Sequence, residues 1–202
     1  IKALDKSSHW PAVFISASAV GYYGDRGDEL LCEDASSGEG FLAEVCEQWE
    51  NASTSIKPHS RVVHLRFGVV LDRQGGFLEP MEKLFSKSLG GKVGSGKQWM
   101  SWIHYEDLVQ IMIFVLNHKE AQGPINAVAP HPITNNQWTT AYSQKLGVRA
   151  LLPVPSFALK IALGEMSQLA LASQKASAQK ILDLGFQFKY KNIETALNDL
   201  YR

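Results

Sequence analysis

Between Gly90 and Leu108 the chain reads GGKVGSGKQWMSWIHYEDL. Gly90, Gly91, Gly94 and Gly96 let backbone approach a ligand closely, because no Cβ intervenes and positive φ costs little. Lys92 and Lys97 add positive charge, and Trp99 and Trp102 add flat apolar surface. That combination suits an anionic small molecule carrying a ring. Large Trp side chains are costly to leave in water, which favours a ligand loop over a mobile surface loop. His104 could act as a base, or serve as a structural residue bonding backbone. Arg66 ends an apolar strand, where ligands gather at the carboxyl ends of parallel strands; a structural salt bridge is an equal alternative. A hydrolase triad of Ser18, His104 and Asp107 is disfavoured, because no G-x-S-x-G elbow surrounds any serine. The six histidines show no metal-ligand spacing, so no metal site is expected.

These residues need a scaffold. The chain has 202 residues, with 20 basic and 20 acidic side chains and 45% hydrophobic composition. This is the profile of an ordinary globular domain, and it lacks the positive excess of a nucleic-acid binder. No apolar run approaches membrane-spanning length. Cys32 and Cys46 read as reduced thiols of a cytoplasmic protein. The opening IKAL, without an initiator Met, reads as the tail of a helix in a longer protein.

Ala12 to Ala17 is a short buried strand, and Arg61 to Phe67 and Pro124 to Ala129 are two more. Between them, Leu42, Val45, Cys46 and Trp49 fall on one helical face, as do Leu78, Met81, Leu84, Phe85 and Leu89. Glu106 to Asn117 is apolar almost all round and predicts a helix buried on most sides. Acidic residues at its start, Glu106 and Asp107, are explained by the helix dipole. Thr134 to Gln137 fits a capping box. Asn126 is a buried polar residue expected to stitch the glycine-rich loop to the sheet. Strands alternating with helices give an α/β fold with a parallel sheet. From Pro153 onward the pattern becomes mainly helical, with Met166, Leu169 and Leu171 among its apolar positions. A short strand at Phe186 to Tyr190 and a terminal helix carrying Ile193, Leu197 and Leu200 complete it. The predicted division is 1–152 and a small C-terminal domain, 153–202.

The motif order SASAVGYYG, Glu33-Asp34, LRFGVVL, the glycine-rich loop and WIHYEDL resembles the extended short-chain dehydrogenase/reductases. GSGKQWMSWIHYEDL, NAVAPHPITN and PVPSFALKIALGEM resemble, more narrowly, the nucleoside-diphosphate-sugar epimerase-like subfamily with its characteristic C-terminal domain. The resemblance implies a partial NAD(P)-binding Rossmann-type parallel sheet, NAD(P) as cofactor, and a nucleotide-sugar type of small-molecule substrate. It places Ala17 and Ser18 at the active-site strand end. It also brings Arg66 and the backbone of Gly68, Val69 and Val70 close to the nicotinamide. Lys92, Lys97, Trp99 and Trp102 become the substrate side.

Two departures follow. The strand, glycine turn and helix that grip the dinucleotide diphosphate have no counterpart here, so this chain alone should bind NAD(P) weakly or not at all. The family's Tyr-x-x-x-Lys pair is replaced by Phe41 and Val45, which neither donate a proton nor carry charge. Tyr22 or Tyr23 would substitute if a cation such as Arg66 or Lys97 lowered the phenol pKa, ordinarily about 10; the alternative is that both wall the pocket. The expected activity is hydride exchange at a sugar-nucleotide carbon or a related carbonyl, with Ser18 bonding the reacting oxygen. The competing reading is a non-catalytic dinucleotide-binding or ligand-sensing protein. A truncated sheet would leave a raw strand edge, so self-association is expected.

Overall fold

The computed structural model describes residues 9–150 and 152–202. The first strand, β1 (Val13–Ala19), runs into a 3₁₀ turn, and β2 (Leu30–Leu31) and α1 (Phe41–Ala52) follow. Next come β3 (Arg61–Phe67), β4 (Val69–Leu71), α2 (Leu78–Ser86), β5 (Trp99–Met100), β6 (Trp102–His104) and α3 (Tyr105–Asn117). After β7 (Gly123–Ala127) and β8 (Ile133–Thr134), α4 (Asn135–Leu146) leads to the C-terminal segment. That segment carries α5 (Ser156–Leu163), α6 (Gln168–Leu171), β9 (Lys175–Ala176), α7 (Gln179–Asp183) and α8 (Ile193–Leu200).

The central sheet is parallel, in the order β1-β3-β7. Its strands carry the apolar residues expected of a sheet covered on both faces, interrupted by Ser18, Arg66 and Asn126. Gly68 marks where the chain leaves β3 so that β4 can pair in parallel with β6. A Cβ on Gly68 would sit 2.7 Å from the Ser101 carbonyl oxygen, so only glycine permits this crossing. The Gly68–Val70 backbone is thus pressed against protein, with Val69 N–H donating to Ser101 O.

Two cores hold the layers together. One joins Val63, Leu65 and Ile125 of the sheet to Ile111 and Val115 of α3 and to Ile181, Phe186 and Phe188. The other joins Leu71, Phe85, Trp102, Trp138 and Tyr142 to Tyr190, Ile193 and Leu197. The C-terminal segment therefore contributes to both cores. It also ties its β9 in parallel to β2.

Several expectations are corrected. Phe186 to Tyr190 is not a strand, because Asp107 and the aromatic packing of Phe186 and Phe188 hold its backbone outside any sheet. On α1, Trp49 is 59% exposed while Glu50 is buried, since the inward position is taken by a carboxylate with a cationic partner inside. On α3, Val109, Ile113 and Leu116 form an exposed apolar stripe. The Ile1 to Leu4 helix tail lies outside the described residues, as does the side chain of Met166.

Candidate functional site

Ser18, Arg66 and Asn126 are in register across β1, β3 and β7, near the carboxyl ends of the strands. Residues in register share a face of the sheet, so three polar side chains form one row where hydrophobic residues would be ordinary. Each needs a partner. Glu50 of α1 supplies the centre: Arg66 Nε donates to its Oε1 and Nη2 to its Oε2, both at 2.9 Å. Ser18 Oγ donates to the same Oε1 at 2.8 Å. Arg66 Nη1 reaches Tyr23 Oη at 2.9 Å, and that phenol donates to Asn126 Oδ1 at 2.8 Å.

Electrostatics follow from burial. Burial opposes charge on Glu50, yet the Arg66 hydrogen bonds and charge prevail and hold the carboxyl below the usual carboxylate range. Burial likewise opposes the Arg66 cation, and Glu50 and Tyr23 reverse the effect and raise its pKa. An ionised carboxylate only accepts, so Ser18 must be the donor, and its lone pairs remain for other groups. Behind Glu50, His64 Nε2 lies 2.6 Å from Ser53 Oγ, and its Nδ1 lies 3.6 Å from Glu50. Burial pushes His64 below its ordinary value, so at neutral pH it is an uncharged neighbour rather than an ion-pair partner.

This geometry sorts the expected residues. Arg66 is the structural ion pair of the two alternatives, 2% exposed with its donors occupied by Glu50, Tyr23 and Glu33 O. Tyr23 is fully buried, and burial pushes its phenol up to about 12, overriding Arg66; the downward shift required of a substitute acid is not there. Tyr22 is half-buried, with the Arg66 guanidinium 3.5 Å from its ring centroid. Ala17 is exposed on β1, and Phe41 is 48% exposed at the start of α1. Asn126 does not touch the glycine-rich loop: its amide donates to Leu31 O and Ser177 O. The stitch is Asn135, whose Oδ1 accepts from Val93 N at 2.8 Å.

The loop itself is fixed. Gly94 N donates to Val154 O, Gly96 N to Val93 O, and Lys97 N to Ser95 Oγ. A Cβ on Gly91 would collide with the Leu152 carbonyl, which makes the close approach one of backbone to backbone. Lys97 projects between two clefts of about 430 and 450 Å³ that also share Asp28 and Ser95. Trp99 borders the second, half-buried, with its Nε1 donating to Asp28 at 2.7 Å and Lys175 Nζ 4.2 Å from its ring. Trp102 is instead fully buried in the second core, with Nε1 on His131 O, so it offers no ligand surface. Burial of its large ring wins over the expected exposure.

His104 is structural: its Nδ1 accepts from Glu106 N and caps α3. Asp107 does more than the dipole argument assigned it, clamping the Lys189 and Tyr190 N–H groups at 2.9 Å each. Ser18, His104 and Asp107 each have separate partners. No metal-ligating cluster occurs among the described residues, and no helix among them is long and apolar enough to cross a membrane. Sequence reasoning missed Glu50, Ser53 and His64. A carboxylate four residues after Cys46, on the inward face of an apolar helix, was the available signal.

A family model described as "Domain of unknown function (DUF1731)" matches residues 154–200. The chloroplastic SDR39U1 homologue of Arabidopsis thaliana, named an epimerase family protein, is 41% identical over 187 residues, 93% of this chain and 54% of that protein. The chain therefore spans little more than half of that relative. Crystal structures agree. Human epimerase family protein SDR39U1 (isoform 2), solved with NADPH, superposes with a TM-score of 0.93 and 31% identity, covering 99% of this chain and 68% of the human one. A nucleoside-diphosphate sugar epimerase from Corynebacterium glutamicum gives a TM-score of 0.80 and 38% identity, over 98% of this chain and 39% of that one. With its sheet, its C-terminal segment and its sequence all matched, the chain belongs to the SDR39U1-like epimerase family.

Proposed function

We propose that this chain is the substrate-side portion of an NAD(P)-dependent oxidoreductase or isomerase of the sugar-nucleotide epimerase type. The observation that carries the reading is the row of Ser18, Arg66 and Asn126 at the carboxyl ends of parallel strands, with Ser18 alone presenting a half-exposed hydroxyl. Exposed Ala17 and half-exposed Ser18 fit the nicotinamide end of the cofactor. The Gly90–Gly96 loop does not fit its diphosphate, because its N–H groups at Gly94 and Gly96 are already bonded to protein. On this reading, this chain alone binds the cofactor weakly or not at all. When bound, the nicotinamide supplies hydride transfer. Within the chain, Glu50 accepts the Ser18 O–H hydrogen bond, so the free lone pairs of Ser18 Oγ accept a hydrogen bond from a substrate hydroxyl and orient it. Lys97, Lys92 and Trp99 line the substrate cleft, where the cations select an anionic ligand.

A second reading, a dinucleotide-binding or ligand-sensing protein without turnover, is favoured by Phe41, Val45 and the high phenol pKa of Tyr23. Hydride turnover by the full-length protein, with NADPH and a panel of carbonyls and sugar nucleotides, separates the two. Turnover lost in Ser18→Ala supports the enzyme reading; turnover unaffected by that change removes the role given to the serine. NADPH binding with no substrate ever reduced supports the sensor.

A further inference from the structure

A further cleft of about 520 Å³, which shares Lys92 and Asn136 with the one beside Trp99, is walled also by Thr139, Thr140, Ser143 and Arg149, among others. Its lining contains two cations, several hydroxyls and amides, and no carboxylate. The two clefts around Lys97 differ, for both include Asp28. Lys92 and Arg149 are exposed, and neither forms an ion pair among the described residues. In a chain of zero formal net charge, this is a local positive excess held in a concavity.

The walls are set before any ligand arrives. Lys92 O accepts from Val154 N at 2.9 Å, fixing one side. On the other, α4 ends on left-handed Gly147 (φ 66°), and Val148 N donates to Ser143 O, which aims the chain toward Arg149. Among the described residues, the buried Thr139 hydroxyl in this wall has no hydrogen-bond partner, which is unusual in a protein interior. Fixed walls lower the ordering cost of binding, and the volume lies within the range of small-molecule sites.

We propose that this cleft is a second binding site, taking a phosphate monoester of a polyol. Lys92 and Arg149 hold the phosphate oxygens, and the hydroxyl and amide side chains of α4 receive the polyol. The inference shares Lys92 with the substrate cleft of the oxidoreductase reading, and Arg149, which lines this cleft and not the one beside Trp99, tells the two apart.

The test is calorimetric titration of the full-length protein with glucose 1-phosphate and, separately, inorganic phosphate. Glucose 1-phosphate should bind more tightly than inorganic phosphate; equal affinity would overturn the polyol part. Arg149→Ala and Lys92→Ala should each weaken binding by about tenfold or more, as expected for losing a charge-assisted hydrogen bond. Lys119→Ala, which removes an exposed charge elsewhere, should leave it unchanged. Both cleft cations are exposed, so unchanged melting temperatures will show that the variants fold. Arg149 lines this cleft and not the one beside Trp99, whereas Lys92 reaches both. Loss in Lys97→Ala without loss in Arg149→Ala would put the anion in the other cleft and overturn the proposal, as would equal loss in Lys119→Ala.

Discussion

At the scale of single residues, the site turns on the buried pair of Glu50 and Arg66. Their side chains are 11% and 2% exposed, so removing either leaves the other charged in a poorly solvated place. Arg66→Ala should cost about 3–5 kcal/mol of stability, and Glu50→Ala a similar amount, read from urea unfolding midpoints. The double variant should lose less than the sum, because no unpaired charge is left behind. Acid should act on the same pair. Both His64 and Glu50 have folded-state pKa values below their ordinary 6.5 and 4.5. A depressed pKa stabilises the fold at pH values above the unfolded value, and that stability is lost as pH falls. The urea midpoint should therefore be level above about pH 7, fall first as His64 is forced to protonate, and fall again below about pH 4.5 with Glu50. A midpoint that rises on acidification would contradict the assigned directions.

At the scale of elements, local chemistry was readable where it acts within a few residues. Thr134 and Gln137 form both halves of the capping box, with Thr134 N donating to Gln137 Oε1 at 2.8 Å and Gln137 N to Thr134 Oγ1 at 3.3 Å. Thr134→Ala should destabilise the protein by about 1 kcal/mol, and Thr134→Ser should retain most of that; equal losses in the two would deny the cap its role. The three strands of the central sheet were legible for the same reason, since short mainly apolar runs bounded by turn residues mark strands locally. Partners distant in the chain were not. Glu50 and Arg66 are separated by 16 positions and Tyr23 and Asn126 by 103, and nothing local says that they meet. Trp99 and Trp102 look alike in the sequence, yet one borders a cleft and the other fills a core. Their difference arises because Trp99 lies in β5, paired with β8, and Trp102 in β6, paired with β4, and local sequence names neither partner.

At the scale of the whole molecule, the two edges of the central sheet are treated differently. Along β7, Glu33 Oε1 accepts the outward Asn126 N–H at 2.8 Å, and Lys180 Nζ donates to the carbonyls of Pro124 at 2.6 Å and Gln122 at 3.0 Å. Those side chains occupy the groups that another strand would use, a recognised means of blunting an edge. Burial pushes Glu33 up and Lys180 down, so both caps are held at some electrostatic cost. On the opposite edge, β1 keeps Val13, Phe14 and Ile15 only partly covered, and α3 adds the exposed stripe of Val109, Ile113 and Leu116. An apolar surface of this kind marks a place of contact. The 202-residue chain on its own should therefore self-associate through the β1 and α3 side and not through β7. Light scattering across a concentration series should show species above the monomer mass of 22.4 kDa. Ile113→Glu should shift that series toward monomer, because a carboxylate in the stripe opposes its burial, while Asp28→Asn, in the clefts beside Lys97, should not. A monodisperse monomer at every concentration would mean that the open edge and the stripe are satisfied within one chain, and the contrast between the two edges would then carry no consequence for assembly.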